Sequence, residues 1–584
     1  MISQYLPKKP HFCLISFFFF LVFVVLPTPS VLSQANIFPS LPDWESLAQG
    51  QYATGLGIAD INGDSWDDIV VANGNDMARQ KLYVYYNNGD GTFPQTPSWM
   101  SSDIDYLGHL SVGDINQDGL IDVTVSSFLG PDRFADPGYI KVYYNLGGYL
   151  EPNPSFRSAD SMYNFSCALG DADGDGDLDL AVACGEPYSG ITDYGKIYYN
   201  QNGQLDSLPG WTSSVVMGAM DVDFADMDNN GFLDLIFACH LTPNYIYLAD
   251  STGAILQQPS WQSQDNSYYA NSLTIAKVDD NNYPDLMVSD NFQLGGQGKF
   301  KAYLFNNLPS LSTSPAWFSN TGGYGSAVLA EDINGDNFPD LFAGRWWGNV
   351  QIYPGDGSSF NPNPGWQSAS SSVIEAFALR DLDQDGRMNI QETISVNRDS
   401  VHVFYLNEPA VEKVNTVQLN GVMLTAGTDY TIMPGVQWIS TESPLMIGDQ
   451  IEVNYTISHD RDLIVTNWDT NKGNYIFYNM SNPTGLTSVA SQGGSKEISV
   501  YPNPFNSRCK FLIQLKQRSK VRLEIFDVTG RTIKTVYNNE ADPGKLAIFW
   551  NGTGNSNRNI SSGMYFYQLQ INDRISSGRL LLMK

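Results

Sequence analysis

The sequence predicts an all-β chain: a seven-bladed β-propeller followed by small β-sandwich modules. Three observations predict it. One pattern, an apolar strand, an acidic loop and a second apolar strand, recurs seven times at a period of about 50–57 residues. A third strand follows each copy. An aromatic-Ser element then closes most of the units. Each unit thus offers four strands that cannot bury both faces of one sheet alone, whereas a radial array can.

The repeated core reads D-x-[DN]-x-[DN]-x-x-x-[DN]. Its copies are DINGDSWDDIVVAN from Asp60, DINQDGLIDVTVSS from Asp114, DADGDGDLDLAVAC from Asp171 and DMDNNGFLDLIFAC from Asp226. KVDDNNYPDLMVSD from Lys277, DINGDNFPDLFAGR from Asp332 and DLDQDGRMNIQETI from Asp381 complete the set. The third strands include KLYVYYN, IKVYYN, GKIYYN and, for the seventh unit, VHVFYLN. Trp99, Phe156, Trp211, Trp261, Trp317 and Trp366 mark the closing element, and Trp44 stands ahead of the first repeat. The aromatic rings are expected to pack between neighbouring blades.

Carboxylates at loop positions 1, 3, 5 and 9, with a backbone carbonyl at 7, are the oxygen set a hard cation such as calcium requires. Glycine and asparagine between them allow the positive φ of so tight a turn. The expected ligands are Asp60, Asn62, Asp64 and Asp68 in loop one, and Asp114, Asn116, Asp118 and Asp122 in loop two. Loop three offers Asp171, Asp173, Asp175 and Asp179; loop four offers Asp226, Asp228, Asn230 and Asp234. Loop six offers Asp332, Asn334, Asp336 and Asp340, and loop seven Asp381, Asp383, Asp385 and Asn389. About six structural calcium ions follow from these loops. Loop five has Lys277 at position 1, whose ammonium is expected to replace the ion and pair with the remaining carboxylates. A carboxylate at position 9, where a strand already begins, is attributed to ligation. Loop seven also fits an EF-hand or dockerin loop, with Gly386 at position 6 and Glu392 at position 12, but its phase favours a seventh blade.

These residues make the chain resemble the FG-GAP/VCBS repeat family, the calcium-loop propellers that include the integrin α-subunit head. The resemblance covers residues 40–410. It implies the propeller fold and leaves function open, since such repeats serve adhesion, carbohydrate binding and some enzymes.

Outside the propeller, residues 1–33 read as a signal peptide: Lys8 and Lys9, an apolar run, then a small-residue site. No other long apolar run exists, so the mature chain is expected to have no transmembrane span. Residues 411–460 break the repeat as a small β-sandwich-like insertion. Residues 461–480 return as a propeller-like half-repeat, leaving an eighth blade as an alternative. After a linker at 481–495, residues 496–584 contain YPNPF (501–505), Asp527, Gly530-Arg531, Trp550 and Gly563-Met564-Tyr565. This module resembles the C-terminal sorting domain of type IX (Por) secretion cargo. The resemblance implies an Ig-like β-sandwich, recognition by outer-membrane secretion machinery, and then removal of the module or surface attachment.

Charged residues are only 16% of the chain, yet its net charge is −30, which excludes nucleic acid as a partner. Four cysteines follow the signal peptide, and Cys167 and Cys184 either face each other as a disulfide or stay buried thiols. The histidines stand near no nucleophile motif, and GGQGK (295–299) lacks the rest of a phosphate loop and reads as a hairpin turn. No catalytic set is legible. The expected role is a secreted or surface-attached, non-catalytic protein binding a glycan or a protein. The alternatives are a polysaccharide lyase or hydrolase, or a purely structural protein. The Trp346-Trp347 pair either stacks on sugars or packs inside the propeller.

Overall fold

A computed structural model describes residues 37–480, apart from 266–267, 280, 294 and 307–311, and most of 498–582. The signal-peptide reading and the YPNPF segment beyond Tyr501 lie outside the described residues.

The apolar strand before each Asp loop lies innermost, because its residues are buried on both faces. Ala53–Ala59, Tyr106–Gly113, Asn164–Gly170, Ala270–Ala276, Tyr324–Glu331 and Ile374–Arg380 take this place, together with the second half of Trp211–Ala225. Each neighbours the next around a ring, and Ile374–Arg380 returns to Ala53–Ala59. Every inner strand pairs antiparallel with the strand beyond its loop, as Ala59 does with Asp68. Five blades are separate four-stranded sheets. Blades three and four share the fifteen-residue strand Trp211–Ala225, outermost in one and innermost in the other. Ring packing leaves little room: a Cβ on Gly55 would meet the Gly108 carbonyl of blade two at 2.8 Å.

Aromatic contacts between blades follow the repeat. Trp261 lies edge-on to Tyr303 and Phe305 of the next blade, and Trp317 to Tyr353 and Phe360. Trp44 donates its indole N–H to the Phe93 carbonyl, Trp211 to Ile255 and Trp366 to Phe38. The Asn ending the Y-Y-N strands stitches blades as well: Asn87, Asn145 and Asn200 donate to the carbonyls of Leu382, Ile61 and Ile115 in the preceding blade's loop.

Blade seven departs from the reading of its sequence. Its sheet runs Ile374–Arg380, Asp462–Asn467, Tyr475–Phe477 and then Trp44–Glu45, so the N-terminal strand closes the ring. The expected second strand, Arg387–Ser395, and third strand, Val401–Tyr405, belong instead to the insertion. The propeller is therefore discontinuous, and the insertion starts at Arg387 rather than 411. Residues 461–480 supply blade seven's own strands and not an eighth blade. Arg387–Ser395 alternates exposed and half-buried residues, whereas second strands of the other blades are buried throughout, and that difference sends it elsewhere.

The insertion packs two sheets around Val417, Ile439, Leu445, Val453 and Tyr455. The C-terminal module is likewise a sandwich, with Ile498–Tyr501, Cys509–Leu515 and Gly544–Trp550 in one sheet and four strands in the other. Cys167 and Cys184 are free, buried thiols: Cys167 stands opposite Val182, and Cys184 opposite Asn164. GGQGK joins Asp285–Asp290 to Phe300–Tyr303 as a hairpin connection. No helix among the described residues is long and apolar enough to cross a membrane.

Candidate metal centres in the blade loops

Each Asp loop turns the chain from an inner strand into its neighbour, so the loops crowd one face of the ring. Their first carboxylate organises the turn. Asp60 accepts the N–H groups of Gly63, Asp64 and Ser65 at 2.8–3.0 Å, and Asp171 those of Gly174, Asp175 and Gly176. Asp114, Asp226 and Asp332 repeat this pattern. Left-handed residues such as Gly63 (φ +77) and Gly174 (φ +78) make it sterically accessible.

Loops three, four and seven each gather three carboxylates whose oxygens lie within 4.8 Å of one another. The groups are Asp171, Asp173, Asp179; Asp226, Asp228, Asp234; and Asp381, Asp383, Asp462. In loops one, two and six the third position is an amide: Asn62, Asn116 and Asn334 accept the N–H of Asp64, Asp118 and Asp336. The fifth-position groups Asp64, Asp118, Asp175 and Asp336 turn to the N–H two residues on, as does Asn230.

Asn389 is not brought to loop seven. It is exposed on Arg387–Ser395 and accepts the Thr456 hydroxyl, because the chain has already left the blade. Glu392, the EF-hand alternative's last ligand, accepts instead from Asn407. Asp462 takes the vacated place. The sequence held a signal for it, since DRDLIVTN from Asp460 repeats the DLDLAVAC of loop three from Asp177.

The ninth position carries more than ligation. Asp68 accepts Ile61 N–H through Oδ2 and Asn87 N–H through Oδ1, tying the loop to the third strand. Asp122, Asp179, Asp234 and Asp462 repeat both bonds. Asp340 accepts the Gly355 N–H and the Asn334 side-chain amide. Asp285 makes the same pair to Val278 and Phe305 in loop five, which lacks the first ligand. Its acidity is thus explained by two backbone N–H groups, correcting the attribution to ligation alone.

Lys277 does not fill loop five. Its Nζ lies 6.0 Å over the Tyr405 ring of the insertion, and no described ion pair joins it to Asp279 or Asp285. Lys277→Asp restores the first ligand, and the variant is expected to bind one more calcium than the parent in native mass spectrometry.

Burial pushes Asp68, Asp122, Asp171 and Asp226 up to about 7 from the usual 3.8, and Asp179, Asp234 and Asp462 well above it. In the cation-free protein such groups favour folding while protonated, and that contribution is lost as pH rises through about 7. The melting temperature in EDTA is therefore expected to fall between pH 5 and pH 8. In excess calcium, which needs the ionised form, it is expected to rise over the same interval.

The insertion sits on this loop face. Ser440 Oγ donates to Asp171 Oδ2 at 2.6 Å, Tyr405 Oη accepts the Asp226 N–H at 3.0 Å, and His402 and Val403 donate to the Gly231 carbonyl. Val403 and Trp438 join the core of blades three and four. Met433 helps line a central cavity of about 280 Å³ with His109, Asp221 and Glu375. His109 lies tilted against Phe165 with Nδ1 3.7 Å from Asp221, and burial holds His240 down to about 3; both pack rather than form a nucleophile pair.

The opposite face gathers aromatic rings. Trp346 ends a second strand and Trp347 and Trp468 directly follow one, while Tyr52 precedes an inner strand and Tyr324 opens one; they meet at 5.4–6.4 Å between centroids. Trp347 is 62% exposed with φ +54, a left-handed backbone that costs a bulky residue energy. Glu375, 1% exposed, accepts both Trp346 and Trp468 indole N–H groups on Oε2, while its buried Oε1 has no hydrogen-bond partner.

Residues 60–125 and 332–390 match the FG-GAP-like repeat, and residues 499–583 the secretion system C-terminal sorting domain. Mouse integrin alpha-3 is 29% identical over 112 residues, covering 18% of this chain and 10% of the integrin. Human integrin alpha-7 is 29% identical over 152 residues, 24% of this chain and 12% of the integrin. The chain thus spans about a tenth of these relatives. A solved structure of BBS1N in complex with ARL6DN aligns with 59% of this chain and 90% of that one, at 14% identity and a TM-score of 0.40.

Proposed function

We propose that this chain, which carries FG-GAP-like repeats and a secretion-system sorting domain, is an exported calcium-stabilised propeller that binds a neutral glycan without turning it over. Calcium in loops one to four, six and seven stiffens the hairpins and relieves the repulsion among their carboxylates. The C-terminal module hands the chain to outer-membrane secretion machinery, leaving it secreted or attached at the surface.

The ligand reading rests on one observation, the aromatic shelf on the face away from the insertion. Trp347 presents an indole to solvent in a backbone conformation it would otherwise avoid. A pyranose offers an apolar C–H face to such a ring and hydroxyl donors to nearby polar groups. A chain of net charge −30 repels anionic sugars, which selects neutral ones.

A glycan array probed with and without EDTA tests this reading. Retention of neutral glycans is expected, and Trp347→Ala is expected to weaken it about tenfold, the loss of about 1.4 kcal/mol of stacking. Retention unchanged in Trp347→Ala would contradict the shelf. Release of shortened products would call for a catalytic site instead.

A further inference from the structure

We propose that the seventh loop is a divalent-cation site assembled from both sides of the insertion, and that its ion fastens the insertion to the propeller. Asp381, Asp383 and Asp385 come before the inserted sandwich, and Asp460 and Asp462 after it. The inference rests on the cation reading of the loops and extends it to a job the other loops do not have.

Strand register establishes the splice. Gly386 donates to Asp381 Oδ2 as Gly176 does to Asp171 in loop three. Leu382 and Asn479 donate to Asp462 as Ala172 and Asn200 do to Asp179. The chain therefore leaves the loop after its sixth position and rejoins it at the seventh, where Asp460 stands. The two ends meet at the root of the insertion, since Arg387 is the register partner of Ser458.

Two buried oxygens point to a missing ligand. Asp381 is fully buried and its Oδ1 has no hydrogen-bond partner; Asp460 is 6% exposed and its Oδ1 has none either. The equivalent seventh-position residue in loop three, Asp177, has both oxygens engaged, by Gln117 and by Asn202. Five carboxylates thus gather here, as many as loop three carries in one stretch of chain, but two of them come from beyond the insertion. The nearby guanidiniums are committed elsewhere. Arg461 binds Glu412 and Glu331, and Arg380 lies near Asp67. Arg387 binds Asp67 at 3.0 Å and donates to the Asp381 backbone carbonyl at 3.1 Å, while it reaches the Asp381 carboxylate only at 4.0 Å. A cation with six to eight oxygen ligands suits such a set.

Fastening follows from where the ligands sit. An ion held by both chain ends closes the root of the insertion. The far side of the insertion docks through His402 and Val403 on the Gly231 carbonyl and through Tyr405 on the Asp226 N–H. Without the ion, repulsion among the five carboxylates opens the root, and those docking amides lose protection.

Native mass spectrometry and amide hydrogen exchange on the full chain, with calcium as the probe, test this together. Asp460→Asn is expected to bind one ion fewer than the parent, and the amides of His402 and Val403 to exchange at least tenfold faster in saturating calcium. Asp383→Ala, at a half-buried position, provides a second variant that removes the third-position oxygen which Asn keeps in loops one, two and six. Asp336→Asn in loop six is expected to lose its own ion while His402 and Val403 stay protected. Full ion counts in both loop-seven variants would overturn the site. Loss of one ion with parental protection at 402–403, or equal deprotection in Asp336→Asn, would overturn the fastening. A parent chain that binds no calcium would overturn the cation reading of every loop, and this inference with it.

Discussion

Chelation of divalent cations is expected to lower the melting temperature by about 10 °C or more. An ion present at 100 times its Kd stabilises the state that binds it by about 2.7 kcal/mol, and the loops act on one ring. The effect is large because the carboxylates are poorly compensated without an ion. Asp171, Asp179, Asp226, Asp234, Asp381 and Asp462 are all buried, and like charges raise the cost of ionising them. Differential scanning fluorimetry in calcium and in EDTA measures it. An unchanged melting temperature would mean that the loops are only polar turns.

Asp285→Ala is expected to destabilise the protein by about 2–5 kcal/mol, equally in calcium and in EDTA. The substitution leaves two buried N–H groups, on Val278 and Phe305, without acceptors, at about 1–3 kcal/mol each. Loop five lacks the first ligand, so the loss cannot come from an ion. Asp285→Asn, which retains one carbonyl oxygen, is expected to lose about half as much. A neutral Asp285→Ala would restore ligation as the sole reason for the ninth-position carboxylate. Denaturant titration of the three proteins distinguishes these outcomes.

The blades were legible in the sequence because their information is local. Asp, Asn and Gly at fixed offsets specify the turn, and short buried strands flank it, so each copy announces itself without its neighbours. Ring closure by Trp44–Glu45 was foreshadowed by an aromatic element ahead of the first loop. Blade seven was misread for a physical reason. Arg387–Ser395 follows an Asp loop in the correct phase and forms a strand, as expected. What sequence phase cannot convey is which sheet receives that strand. The decisive residues, Asp460 and Asp462, stand a whole sandwich away from Asp385, and only the match of DRDLIVTN to DLDLAVAC tied them to a blade.

The ninth-position Asp illustrates a different limit. From sequence, a carboxylate at the start of a strand has no visible purpose except to ligate, because its partners are backbone N–H groups, which every residue but proline carries. Loop five separates the two roles by keeping Asp285 while replacing the first ligand with Lys277. The aromatic shelf was half legible. Trp346 and Trp347 stood out as a pair, but packing and exposure divide between them: Trp346 is buried against Glu375, and Trp347 faces solvent.

Anomalous diffraction from lanthanide-loaded crystals locates the ions loop by loop. Six peaks are expected, one in each of loops one, two, three, four, six and seven, with the last between Asp381 and Asp460. Loop five is predicted to be empty. No peaks in the loops, or a peak in loop five with none at loop seven, would contradict that assignment.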